Sequence, residues 1–127
     1  MPDKSISEKL QVKSGKIFRI LNQPPDVSGI LAQLPAGASF AKVNEPADVV
    51  LFFVRSMSEV KSLFPLDAKL IKLDGIPWLA YPKKTSAIKT DLDRDTIWKF
   101  LQTIGWTGVS MISIDDTWSG FRMKKVS

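Results

Sequence analysis

The chain has 127 residues and a mass of 14.2 kDa, with 44% hydrophobic residues and a net charge of +5 from eighteen Lys and Arg against thirteen Asp and Glu. That size and apolar content suit one domain with a core of its own, so residues 1–127 are expected to form a single α/β domain. Cysteine and histidine are both absent, which excludes a disulfide framework, thiolate chemistry, the serine-histidine-aspartate triad, the usual zinc ligand sets and any imidazole acid-base step. The basic residues are scattered, with Lys83-Lys84 and Lys124-Lys125 as adjacent pairs. Charge of this size favours anionic partners in general; without a dense basic patch interleaved with aromatics, nucleic acid ranks last among them. No apolar run approaches a membrane span, and Met1 to Leu10 mixes charges without an apolar stretch, so a cytoplasmic location and no membrane partner are expected.

Strand and helix signals alternate along the chain. Lys16 to Leu21 reads as a first strand, followed by Asn22-Gln23-Pro24-Pro25-Asp26, in which Asp26 is a candidate N-cap for a helix carrying Ile30, Leu31 and Leu34. Ala38 to Val43 is a weaker strand. Asp48 to Val54 is a strong one, short and continuously apolar, as a central strand buried on both faces should be. Asn44 to Ala47 is a short link for a parallel crossover, which normally needs about a dozen residues, so the weak strand is open to being short, irregular or antiparallel. Ser56-Met57-Ser58-Glu59 matches a capping box and opens a helix carrying Met57, Val60, Leu63 and Phe64. Pro65 interrupts it, and a second helical piece with Leu66, Leu70 and Ile71 is expected before Asp74-Gly75 turns the chain into a strand around Trp78. That strand stops at Pro82 and empties into Lys83-Lys84-Thr85-Ser86. A helix from Asp93 presents Ile97, Phe100, Leu101 and Ile104 on one face and stops at Gly105. Val109 to Ile114, a turn over Asp115 to Gly120, and Phe121 to Lys124 form a final hairpin.

Three strand-helix alternations closed by a hairpin resemble, in shortened form, the Rossmann-like sheet of methyltransferases with its antiparallel last strand. The expected architecture is a three-layer α/β sandwich with a largely parallel sheet in the order 2-1-3-4-6-5, strands numbered along the chain. In such sheets ligands sit where the strands exit. The exits here, at Asn22, Arg55, Lys83 and Asp115, all carry polar punctuation.

The candidate ligand-binding residues follow from that rim: Arg55, Ser56, Lys83, Lys84, Ser86, Asp116, Trp118 and Ser119. Two ammonium groups with neighbouring hydroxyls supply donors for a phosphate or carboxylate, although Ser56 is also accounted for as a helix cap. Trp118 either staples the hairpin or lines a pocket. Asp115 and Asp116 are the one adjacent acidic pair; neighbouring strand residues point opposite ways, and turn chemistry explains them equally well. A dinucleotide or S-adenosylmethionine site would want glycines after the first strand, where this chain has two prolines that withhold amide donors. No cofactor and no metal are therefore expected.

Pro24-Pro25-Asp26, Asp48 to Ser56, Trp78 to Ser86, Thr90-Asp91-Leu92 and Asp116-Thr117-Trp118-Ser119-Gly120 together resemble, over nearly the whole chain, a family of small bacterial proteins of unknown function. The resemblance implies a stand-alone bacterial cytoplasmic domain and carries no activity or ligand. Three readings follow. The first is a non-catalytic binding or regulatory module for an anionic small molecule or an acidic partner surface. The second is a degenerate methyltransferase-like or nucleotide-dependent enzyme using Asp115 or Asp116. The third is an interaction module that pairs with another protein or with a second copy of itself.

Overall fold

A computed structural model describes residues 9–24, 34–64, 70–84 and 88–126. Its strands are β1 (Ile17–Leu21), β2 (Ser39–Phe40), β3 (Ala47–Phe53), β4 (Ile71–Pro82), β5 (Trp106–Ser113) and β6 (Trp118–Lys125), and its helices α1 (Met57–Ser62) and α2 (Arg94–Thr103). They form one sheet in the order β2-β1-β3-β4-β6-β5. β1 pairs in parallel with β2 and β3, and β3 with β4, whereas β6 runs antiparallel to both β4 and β5. This is the expected α/β arrangement, a mostly parallel sheet ending in an antiparallel pair.

β3 organises both sides of the sheet. Because successive strand side chains point to opposite faces, Val50, Phe52 and Val54 enter one core with Leu79, Tyr81, Ile97, Leu101 and Phe121, while Val49, Leu51 and Phe53 enter the other with Phe18, Trp78, Ala80 and Trp118. α1 and α2 cover the first face through Val60, Ile97 and Leu101. On the second face Leu10 and Val12 are buried, Leu34 and Ile88 pack against the core, and Trp78 Nε1 donates to the carbonyl of Leu10 at 3.0 Å. The helix expected from Asp26 lies, apart from Leu34, outside the described residues.

Capping explains where the helices begin. Ser56 Oγ accepts from Glu59 N at 3.2 Å, and Glu59 Oε2 reaches back to the amide of Arg55 at 2.8 Å, one residue earlier than a strict capping box. Asp93 accepts from Thr96 N at 2.8 Å while Thr96 Oγ1 accepts from Asp93 N at 2.9 Å, a reciprocal box. Gly105, at φ +79°, ends α2 in a conformation that favours glycine.

Three expectations are corrected. The weak strand is only Ser39–Phe40, paired in parallel at the level of Ile17 and Phe18. It climbs so little that residues 41–46 suffice to return to β3, and Arg19 holds this return by donating to the carbonyls of Lys42 (2.9 Å) and Glu45 (2.7 Å). Asp74-Gly75 does not precede the Trp78 strand but lies within it. β4 begins at Ile71, expected to be helical, and a step from Ala47 to Val49 on β3 spans Ile71 to Ile76 on β4, so the chain bulges rather than turns. Finally, Trp118, Ser119 and Gly120 belong to β6, and the hairpin turn is made earlier, by Asp115. Its Oδ1 accepts from the amides of Thr117 (2.8 Å) and Trp118 (2.7 Å), a local cap on the bend.

Asp48 fastens the opposite end of the sheet. Its Oδ2 accepts from the Ile17 amide at 2.8 Å and its Oδ1 lies 3.1 Å from Lys72 Nζ, tying β3 to both parallel neighbours. Burial pulls the Asp48 carboxyl up, but the Ile17 N–H and the Lys72 ammonium, with Lys16 nearby, outweigh it and hold the group below its ordinary value.

Two outcomes follow. A carboxyl depressed in the folded state stabilises above the ordinary carboxylate range and loses that contribution as pH falls through it. Asp48→Ala is expected to cost about 1–2 kcal/mol at neutral pH, a fall in Tm of roughly 4–7 °C, narrowing as pH falls through the range in which the depressed carboxyl takes up its proton; thermal denaturation at neutral and acidic pH measures this, and an equal deficit at both would refute a role for the charge. Asp115→Ala leaves two turn amides without their acceptor and is expected to cost about 1–3 kcal/mol, against less than about 0.5 kcal/mol for exposed Asp116→Ala. Urea denaturation of the two variants gives that ranking directly.

Candidate functional site

The C-terminal ends of β1, β3, β4 and β5 lie along one rim with the start of β6. Pro82 faces Trp118 and Ser113 faces Ser119 across the ladders, and the Lys83 amide donates to Thr117 O at 2.7 Å. Strand order reverses between β1 and β3, since β2 lies on one side of β1 and β3 then β4 on the other. In an open α/β sheet such a reversal leaves a crevice outside the strand ends.

Each exit has its own local cause. After β1, Asn22 takes φ +60°, a conformation asparagine tolerates better than most residues, and Pro24 is buried. After β3, Val54 N donates to Ala80 O at 2.8 Å, which keeps the strands aligned to their ends. The chain then turns at Arg55 into α1. Here a second loop is pinned across the helix start: Thr90 Oγ1 donates to Arg55 O at 2.7 Å, and Asp91 Oδ1 accepts from Met57 N at 2.8 Å. Asp91 thus satisfies an amide at the helix N-terminus, where negative charge is favoured. Nothing in the local sequence of Thr90 and Asp91 identifies them as ties to the start of α1, where Thr90 reaches Arg55, 35 residues upstream.

Lys83, Arg55, Trp118 and Ser119 come together at this rim. The Arg55 guanidinium lies 5.6 Å from the centroid of the Trp118 ring, within reach of a cation-π contact. Trp118 is 1% exposed and meets Phe53 edge-on at 5.0 Å, so it staples the hairpin to the core. Its Nε1 is buried and has no acceptor among the described residues, although a buried indole donor usually has one. Lys83 Nζ donates to Ser113 Oγ at 2.6 Å. Lys84, whose side chain is 76% exposed, lies 3.5 Å from Asp93 Oδ2. Asp93 is held below the usual carboxylate range chiefly by the Thr96 amide, with Lys84 adding to the effect. Burial, and then the negative charge of Asp93, push the Tyr81 hydroxyl up.

Ser56 spends its hydroxyl on the α1 cap, Ser119 sits within β6, and Asp116 is exposed beside a turn built by Asp115. Ser86 lies outside the described residues. A hollow of about 520 Å³ opens at the rim between Lys84 and the segment Ile88 to Asp93. Among the described residues no three His, Cys, Asp or Glu side chains gather as a metal site would require. The rim carries the cationic side chains of Arg55, Lys83 and Lys84, groups that can form charge-assisted hydrogen bonds with an anion.

Solved structures share this architecture. The chain is similar to the ribosomal protein L11 methylase from Lactobacillus delbrueckii subsp. bulgaricus, with a TM-score of 0.59 and 13% identity over 94% of this chain and 74% of that one. It is also similar to the protein in a DhpI–SAH complex, with a TM-score of 0.53 and 9% identity over 96% and 83% of the two chains. No protein-family model matches the sequence, and no curated protein does. At these identities the likeness is one of fold: the chain has a Rossmann-like α/β fold of the methyltransferase type.

Proposed function

We propose that this chain is a degenerate methyltransferase-like domain that binds a nucleotide-type or other phosphate-bearing small molecule at the rim, through side chains rather than a backbone cradle. The observation that carries the reading is the strand reversal between β1 and β3 in a sheet of the methyltransferase type, with Arg55 at the exit of β3 and Lys84 at the exit of β4 on the same rim. Ligands of such sheets occupy that crevice.

The conventional hold on S-adenosylmethionine does not fit. A glycine-rich first loop lets the main chain approach a ligand and offers amide donors. Here the loop runs Asn22-Gln23-Pro24-Pro25-Asp26; two prolines donate nothing, and Pro24 is buried. Recognition therefore passes to the Arg55 guanidinium and the Lys84 ammonium, which form charge-assisted hydrogen bonds with phosphate oxygens.

Thermal denaturation of the full chain with ATP, inorganic phosphate, S-adenosylmethionine and S-adenosylhomocysteine checks this. A ligand at one hundred times its Kd stabilises by about 2.7 kcal/mol, roughly 10 °C for a domain of this size. ATP is expected to raise Tm, the two S-adenosyl compounds to do so less, and the double substitution Arg55→Ala with Lys84→Ala to abolish the ATP effect. Strong stabilisation by the S-adenosyl compounds alone, or none by any ligand, would overturn the reading.

A further inference from the structure

We propose a second binding site, where β4 and β6 part at the end of the sheet away from the rim, that takes an amphipathic anion: a small molecule with an apolar body and one singly charged anionic head. The β4–β6 ladder runs from Pro82↔Trp118 to Trp78↔Arg122 and stops there. Beyond it, β4 continues to Ile71 beside β3, while Met123 and its successors pair with β5. The two strands at the middle of the sheet therefore separate.

The bulge at Lys72 to Gly75 lies beside the parting. A Cβ on Gly75 would lie 2.5 Å from Ile71 Cγ1, so glycine alone lets the chain fold this closely onto Ile71. The opening is a hollow of about 610 Å³, within the size range of small-molecule sites. Ile71, Ile76, Trp106 and Met123 line it with apolar surface. Arg122, Lys124 and Lys125 also line it, with Asp74 as the carboxylate among the described lining residues.

Charge decides the class of ligand. Lys72, a further lining residue, is paired with Asp48 at 3.1 Å. The ion pairs among the described residues involve none of Arg122, Lys124 and Lys125. Three cations of β6 against one carboxylate, among the described lining residues, leave a positive excess beside apolar walls. Arg122 sits at the last pair before the split and is half-buried, and its planar fork matches a carboxylate or sulfonate. An uncharged apolar molecule would leave these cations unanswered, and a fully hydrated anion would leave the walls unused.

The site lies at the other end of β4 from the rim and does not depend on the reading proposed for it. Fluorescence titration of the full chain with anilinonaphthalene sulfonate, against the uncharged phenylnaphthylamine, tests the inference. Saturable binding at one site is expected, displaced by octanoate and not by octanol, with the neutral probe at least about tenfold weaker, as loss of a charge-assisted contact requires. Lys124→Glu, at an exposed position, is expected to weaken sulfonate binding by at least about tenfold, and Val109→Trp, which fills the hollow, to abolish it, both with unchanged circular dichroism. Equal affinity for the two probes, indifference to both substitutions, or loss of binding in the Arg55→Ala and Lys84→Ala double variant instead would overturn the proposal.

Discussion

The burial of β3 on both faces is the constraint on which the rest of this structure depends. From Val49 to Phe53 every side chain is at most 2% exposed, so no face of the strand can be left to solvent. An antiparallel sheet with one wet face would not accept such a strand; a wound sheet covered on both sides does. The parallel neighbours β1 and β4, the helices on one face and the Leu10–Trp78 contact on the other all answer that demand. Once β1, β3 and β4 run the same way, their exits must share an edge.

That edge is polar but economical. The Ser56 hydroxyl caps α1, the Asp91 carboxylate satisfies the amide of Met57, and Asp115 closes a turn. Buried or half-buried polar atoms generally find partners in this way. Arg55, whose guanidinium lies over Trp118, and Lys84, beside Asp93, are exposed cations at this edge. The absence of histidine and cysteine from the chain narrows what such groups can do.

Local signals made much of the fold legible. The apolar run Val49 to Val54 marks a central strand, Ser56 and Asp93 mark helix starts, and the strand order follows from the resemblance of the alternating elements and closing hairpin to the methyltransferase sheet. The rim follows from that order, which is why Arg55, Lys83, Trp118 and Ser119 could be placed together beforehand. Long-range register was not legible. Asp74-Gly75 has the composition of a turn, and only its pairing with β3 reveals a bulge inside one strand. Asp48 looks like a strand border, whereas its function is to bind Ile17 and Lys72, distant in sequence. Trp118 to Gly120 resembles a turn because Gly120 is there, yet the bend is made at Asp115, whose carboxylate caps it, and the later residues belong to β6. The parting of β4 from β6 belongs to the same class, since no single segment encodes where a ladder ends.

The borders of the sheet carry a further consequence. A long, straight outer strand invites other chains to add to it, and proteins blunt that hazard with very short edge strands and with bulges. Here β2 is reduced to Ser39–Phe40, with Arg19 clasping the loop that follows it, and the other border, β5, shifts register between Gly108 and Ser110. Both flanks are thus poor templates for fibre growth, and the molecule can concentrate apolar residues in its middle strands while limiting the risk of self-templated aggregation.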